Sequence, residues 1–515
     1  MRRSRDRFPL QRPFQRPYLW LLGLWAIAAA LRFWGLGRFN TLVFDEVYFV
    51  QYAADYLRRM PFFDGHPPLS KYLIALGIAI GQHLPWGQGV TNGQTGLDLS
   101  PWSYRWLNAL VGSLLPLVLA WVGRLVTGRW AVGLAAGALL ALDGLFLVES
   151  RYGLNNVYLV GFGLLGQGCW LRALQSYGDR EAGEAGDRKT LGAGWRDRGI
   201  WWLGAGICFG ATLSVKWNGL GFLVGPWLLW SGAMAVHLWR GDDRPESPTD
   251  RTAPITPLRW LPRVSPVPMA IALAALPLIT YGLLWIPHLH WATDLDLWEI
   301  NKQILTYHRN VGDGREVHPY CSRWYTWPLL LRPIAYFYAR TVSPEAPINY
   351  ADLTPKLPPG VAPTIYDVHA LGNPLLWWAA AIAVLVTLGL LGIRSSSSRG
   401  RRDSGAIAIA AFWLINYGAN WLPWARISRC TFLYHYMGAL CFAILALAWL
   451  LVGPHSATDR RPRPYRRLRH TLAWGVGTAI AIAFLFWLPI YLGLPLDSAG
   501  WTARIWRWKP FLDWL

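Results

Sequence analysis

The sequence predicts an all-α polytopic membrane protein, and three observations carry that reading. Apolar runs recur along nearly all of the 515 residues. The composition, 53% hydrophobic with 34 Trp and only 15% charged residues, is too apolar for an ordinary soluble protein. The basic excess, a net charge of +20, sits in short connectors between the apolar runs, where it sets topology and meets anionic lipid rather than nucleic acid. A run of about 20 apolar residues crosses the hydrocarbon as a helix, because in lipid the backbone must satisfy its own N–H and C=O groups. About eleven runs meet that criterion.

Six arginines, Arg2, Arg3, Arg5, Arg7, Arg12 and Arg16, precede the first span at 18–36 and place the N-terminus in the cytoplasm. The full-length span and the lack of a small-residue cleavage site argue against a cleaved signal peptide. The first loop, 37–104, then falls outside. Spans at 106–126 and 131–149 turn at Arg124 and Arg129, a span at 153–174 follows, and the Gly-, Asp- and Arg-rich stretch 175–199 reads as an inner loop. Spans at 200–215 and 219–239 lead to the basic connector 240–263, which holds Arg240, Arg244, Arg251, Arg259 and Arg263. A span at 267–287 opens the longest outer loop, 288–372, and a span at 373–393 returns to Arg394, Arg399, Arg401 and Arg402. Spans at 405–423 and 431–452 deliver Arg460, Arg461, Arg463, Arg466, Arg467 and Arg469 inside. A last span at 471–493 puts Trp501, Trp506, Trp508 and Trp514 outside, at headgroup level. The chain divides into a basic inner tail (1–17), a membrane domain (18–493) and a Trp-rich outer tail (494–515).

Chemistry concentrates at the outer ends of the spans. The first loop carries Phe44-Asp45-Glu46-Val47-Tyr48-Phe49 and Phe62-Phe63-Asp64-Gly65-His66-Pro67-Pro68-Leu69-Ser70-Lys71. Charges this dense beside hydrocarbon mark function more often than a plain connector does. Arg105, Glu149-Ser150-Arg151-Tyr152, Lys216, and Arg426 and Arg429 with His435 and Tyr436 fall on the same side. Any one of these could snorkel to headgroups. As a set they suit a cavity for a phosphorylated lipid headgroup and a proton to be removed. The prolines predict entry into a short interfacial helix, 71–76. Of five cysteines, Cys169, Cys208, Cys430 and Cys441 lie in or at the ends of spans and Cys321 lies in an outer loop. That distribution predicts no structural disulfide and no zinc site. No Gly-rich phosphate loop, Gly-x-Ser-x-Gly elbow or long-period repeat occurs.

The two first-loop stretches resemble the pattern of the protein O-mannosyltransferases, in which Asp-Glu-Val-His-Phe and Phe-Phe-Asp-x-His-Pro-Pro-Leu-Gly-Lys are typical. Ser214-Val215-Lys216-Trp217, His318-Pro319-Tyr320, Trp324-Tyr325-Thr326-Trp327-Pro328, Arg332-Pro333, Gly372-Asn373-Pro374 and Arg429 with Phe432-Leu433-Tyr434-His435-Tyr436 are similar to bacterial members, in order over residues 18 to 493. The resemblance implies a GT-C glycosyltransferase fold with interfacial helices in the outer loops. It also implies transfer of one mannose, with inversion, from polyprenyl-phosphate mannose to Ser or Thr of translocated proteins, at the outer face of a bacterial cytoplasmic membrane and in reach of the secretion translocon. Asp45 is the implied base, with Glu46 positioning acceptor or sugar; a positioned carboxylate contributes roughly 10²–10⁴-fold. The leaving phosphate calls for fixed cations. Arg105 and Arg151 are the first candidates, then Lys216, Arg426 and Arg429, with His435 beside them. Asp64, His66, Lys71, His318 and Tyr320 support the acceptor or the loops.

Three positions depart from the pattern: Tyr48 replaces His, Ser70 replaces Gly, and Asn156 stands where Asp is common after Ser150-Arg151. The loop 288–372 is too short for a β-trefoil MIR domain and is expected to pack as helices and turns. No cofactor is expected to be obligatory, although Asp45, Glu46, Asp64 and His66 are chemically able to hold a hard divalent cation. Two rival readings use the same features. One is a GT-C enzyme with a lipid or glycan acceptor; the other is a lipid-linked sugar flippase, which should show inverted repeats and broken helices near the midplane.

Overall fold

The computed structural model describes residues 16–184, 191–240, 256–396, 404–453 and 463–508. Several residues used to assign the inner side lie outside these: Arg2 to Arg12, Arg244, Arg251, Arg399, Arg401, Arg402, Arg460 and Arg461, together with Trp514 of the tail. The helices are α1 (Pro17–Phe33), α2 (Glu46–Arg58), α3 (Leu69–Gly81), α4 (Pro101–Thr127), α5 (Trp130–Ala141), α6 (Gly144–Glu149), α7 (Asn156–Glu184), α8 (Leu191–Val215) and α9 (Leu220–Arg240). After α10 (Pro266–Ala270) come α11 (Leu276–Trp291), α12 (Leu297–Asn310), α13 (Pro374–Ser396), α14 (Ser404–Trp421), α15 (Met437–Val452), α16 (Arg463–Leu492) and α17 (Ser498–Arg504). A π turn, Ile271–Ala275, joins α10 and α11 into one helix.

Every predicted span falls on a helix, though not always with the expected bounds. Among the described residues eight helical segments are long and apolar enough to cross a membrane, while α1, α3, α5 and the apolar part of α8 are shorter. The span expected at 131–149 breaks in two, because Asp143 turns the chain and caps α6 by accepting from Phe146 N (3.0 Å). The inner loop expected at 175–199 is largely absorbed by α7 and α8, which run to Glu184 and from Leu191. The interfacial helix expected at 71–76 is longer, 69–81.

Between helices the packing rests on small residues. A Cβ on Gly133 would lie 2.2 Å from Ala120 O, and one on Gly137 2.5 Å from Pro116 O, so α5 lies directly on the backbone of α4. At the centre, α15 is buried almost all round, consistent with its uninterrupted apolar sequence.

The outer loop corrects a second expectation. It contains β1 (Ile334–Thr341) and β2 (Thr364–Ala370), paired antiparallel from Ile334↔Ala370 to Thr341↔Thr364, with Tyr336 bulged out between Ala335 and Phe337. β2 is buried at every position, so it lacks the alternation that betrays a half-exposed strand. The Trp-rich tail is not free either. Trp501 on α17 donates from Nε1 to Asp367 Oδ2 (2.6 Å), and Leu496 bridges Ile365 of β2.

Candidate active site

The loops that alternation places outside converge at one end of the bundle. Asn40 N donates to Tyr350 Oη (2.7 Å), Tyr336 reaches Glu149, and Ser322 N donates to Thr431 O (2.8 Å). Contrary to the expectation of no disulfide, Cys321 and Cys430 are bonded across 109 residues. Sequence spacing concealed the pair because the two cysteines belong to different loops. The bond fixes the segment carrying Arg429 to the segment carrying His318.

Asp45 sits at the mouth of this convergence, half-buried, at the start of α2. Before it, Phe44 holds a left-handed backbone (φ 51), a conformation that costs a bulky residue about 1–3 kcal/mol and is kept only where surroundings impose it. Burial, opposed by the Lys216 ammonium and reinforced by Asp64, pushes the Asp45 carboxyl up to about 6. Lys216 follows α8 and is nearly buried, its ammonium 5.0 Å from the centre of the Tyr434 ring. Burial and the Arg429 guanidinium bring it down to about 8, against the pull of Asp45, Glu149 and Asp64. Arg429 is half-buried and donates to Cys430 O (2.9 Å). Burial, then Lys216 and His308, hold the His66 imidazole well below its ordinary range, and burial with Arg429 brings His308 down to about 4, so both are neutral at pH 7.

Several expected site residues serve the scaffold instead. Glu46 and Arg105 are both 0% exposed and bind each other twice, Nε to Oε1 at 2.9 Å and Nη2 to Oε2 at 2.7 Å. Arg105 spends its remaining donors on the carbonyls of Leu36, Phe39 and Thr41, and Glu46 accepts from Val43 N and Gly153 N. No donor is left for a phosphate and no free oxygen faces the cavity. Arg151 similarly caps the C-terminus of α1, donating to the carbonyls of Leu31, Arg32, Trp34 and Gly35. His435 lies between Trp327 and Trp424 with Nδ1 3.0 Å from Phe432 N and O, and Arg426 is exposed at the end of the 3-10 turn Leu422–Arg426 that follows α14.

The loop-support group falls into two sets. Lys71 pairs with Asp64 and donates to the carbonyls of His66 (2.8 Å) and Pro67 (2.9 Å), which fixes the turn before α3. His318 faces Phe44 edge-on (6.4 Å between centroids) and Phe432 (5.0 Å), and accepts from Tyr320 N at Nδ1. Sequence reasoning placed Glu149 in the outer set without giving it a role, and did not single out His308 or Tyr336. Glu149 had a usable signal, an acid at the end of an apolar run; Tyr336 and His308 had none beyond being aromatic in an outer loop.

Residues 23–289 match the family model described as dolichyl-phosphate-mannose-protein mannosyltransferase, and 295–509 match the C-terminal four-transmembrane region of protein-O-mannosyltransferase. Polyprenol-phosphate-mannose--protein mannosyltransferase of Mycolicibacterium smegmatis is 25% identical, covering 96% of this chain and 93% of its own length. The Mycobacterium tuberculosis protein of that name is also 25% identical, over 93% of this chain and 89% of its own. Among solved structures, the yeast Pmt1-Pmt2 complex bound to the sugar donor superposes with a TM-score of 0.71 at 16% identity, covering 95% of this chain and 92% of that one. ArnT from Cupriavidus metallidurans gives 0.50 at 14% identity, over 92% and 77%. The architecture is therefore that of a GT-C membrane protein.

Proposed function

The chain belongs to the protein O-mannosyltransferase family and is a membrane glycosyltransferase, and from that premise we propose that it moves one mannose from polyprenyl-phosphate mannose to a Ser or Thr hydroxyl, with Asp45 as the base. The acceptors are secreted or membrane proteins, met as they leave the secretion translocon at the outer face of a bacterial cytoplasmic membrane. Family membership favours a protein acceptor over the lipid, glycan and flippase alternatives.

One observation carries the reading. Asp45 is a carboxylate with no fixed ion-pair partner among the described residues, and of two cations that likewise have no carboxylate partner among them, Lys216 acts on Asp45 and Arg429 on Lys216. Of the other acids in the two first-loop motifs, Glu46 is already neutralised by Arg105 and Asp64 by Lys71.

A Ser or Thr hydroxyl is a weak nucleophile at neutral pH. Asp45 takes its proton as the oxygen attacks the anomeric carbon; the new C–O bond forms as the bond to phosphate oxygen breaks on the opposite face. The electron pair leaves with the polyprenyl phosphate, whose growing charge is met by Lys216 and Arg429. The configuration inverts, and no step is assigned to a metal. Arg105, Arg151 and Glu46 act only through the scaffold. The test is mannose transfer to a Ser/Thr peptide by the reconstituted protein. Asp45→Asn is expected to lower kcat by about 10²–10⁴-fold with donor binding kept; transfer at the wild-type rate removes Asp45 from the role.

A further inference from the structure

The strained residue beside the base has a support that the reaction does not explain. The Phe44 ring lies flat on Tyr336, with centroids 4.3 Å apart and planes 11° from parallel. Tyr336 is the bulged residue of β1, without a register partner on β2. A bulge re-aims a side chain out of the sheet's alternation, and here the phenol turns inward. Its Oη donates to Glu149 Oε1 at 2.5 Å, and Glu149 Oε2 accepts from Asn156 Nδ2 at 3.1 Å. Glu149 is 0% exposed at the end of α6. A buried carboxylate is costly to keep unless it is hydrogen-bonded and put to use. No arginine or lysine pairs with it among the described residues, yet its charge acts on Lys216 and Asp45.

We propose that Tyr336 and Glu149 are positioning residues for the reaction at Asp45: Glu149 fixes Tyr336, Tyr336 carries Phe44, and the Glu149 charge faces the Lys216 ammonium. The direction in which Asp45 leaves the backbone is set by Phe44, so a rigid ring beneath Phe44 is a rigid frame for the base. β1 and α6, tied by this one hydrogen bond, supply the two halves of the brace. Asn156 completes it. Because 149 and 156 touch, an acid at either position paired with an amide at the other preserves both hydrogen bonds and the charge.

The inference rests on the reading of Asp45 given above, and the variants separate the two. Steady-state transfer from polyprenyl-phosphate mannose to a Ser/Thr peptide is measured on the full-length reconstituted protein, with thermal stability followed in parallel. Tyr336→Phe keeps the ring and loses the hydroxyl; kcat is expected to fall about 3–10-fold, with KM for the donor within about threefold of wild type. Glu149→Gln is expected to lower kcat at least about tenfold. Adding Asn156→Asp to Glu149→Gln returns the charge one bond away, with the introduced amide accepting from Tyr336 and donating to the new carboxylate, and is expected to recover most of the rate. An unchanged kcat in Tyr336→Phe, a loss seen only in donor KM, or a double variant no faster than Glu149→Gln overturns the proposal. If Glu149→Gln does not fold, Tyr336→Phe decides alone. An inactive Asp45→Asn beside a fully active Tyr336→Phe sinks the brace and leaves the base assignment standing; an active Asp45→Asn sinks the base assignment whatever the brace variants do.

Discussion

Lys216 sets one side of the pH dependence of the site, and Asp45 with Glu149 the other. The Asp45 carboxyl, raised to about 6 by burial, must be ionised to accept a proton, and the Glu149 carboxyl, raised to about 7 by burial, must be ionised to face Lys216, so activity is lost as pH falls through about 7 to 6. The Lys216 ammonium, lowered to about 8 by burial and Arg429, must be protonated to meet the phosphate, so activity is lost again as pH rises through about 8. The profile of kcat/KM, which reports the free enzyme, is therefore expected to be a bell between those limbs. Lys216→Arg replaces a titrating cation by one that stays charged; the alkaline limb should disappear while an acid limb remains, and a limb still at 8 would assign it to another group. At this scale the sequence was legible where charge is unusual, as at Asp45, Asp64 and Lys216. It was not legible for Arg105 and Arg151, because a guanidinium aimed at loop carbonyls and one aimed at a cavity look alike at the end of an apolar run. Only the partners tell them apart.

Helix α4 shows why those arginines matter without touching substrate. Its first turn is capped by Ser100, which accepts from Ser103 N (3.2 Å), and Arg105 one turn on gathers the loop 36–41 and Glu46 of α2. The pair joins α2, α4 and the turn at Gly153 through five further hydrogen bonds, already named, all inside protein. Removing one member leaves the other charge buried alone, at a cost of about 3–5 kcal/mol. Arg105→Ala is thus expected to lower the yield of folded protein and the unfolding temperature before any effect on donor binding can be read, and Glu46→Ala to do the same. Stable Arg105→Ala protein with a raised donor KM would return Arg105 to the phosphate. Helices were the readable elements because length and apolarity suffice for them. The strands were not. In Ile334–Thr341 and Thr364–Ala370 the β-branched and aromatic residues favour a strand, but burial of both faces of β2 erases the period of two, and a short apolar run in an outer loop then carries no sign of its partner. The break at Asp143 was equally hidden, since one acid inside 131–149 reads as a tolerated polar residue until Trp377 Nε1 is seen donating to it (2.7 Å).

For the whole molecule, alternation of apolar runs sorted the loops into two sets, and one set meets at a single end around Asp45. Which compartment that end faces is a separate matter, and the disulfide bears on it. Cys321 and Cys430 both lie in loops of that set, and disulfides persist in oxidising compartments and are rare in the cytosol. The remaining cysteines, Cys169, Cys208 and Cys441, are free and lie within helices. Sidedness can therefore be read chemically. In sealed cells, treatment with a membrane-impermeant reductant followed by an impermeant maleimide should label two cysteines, and omission of the reductant should leave them unlabelled. Cys321→Ser should give one label without reduction, at Cys430. Because the bond ties the Arg429 segment to the His318 segment, the same variant should also lose transfer activity, by about tenfold or less, with the helices intact. Labelling that appears only after the membrane is permeabilised would turn the molecule over, placing the Asp45 end in the cytoplasm, away from translocated acceptors.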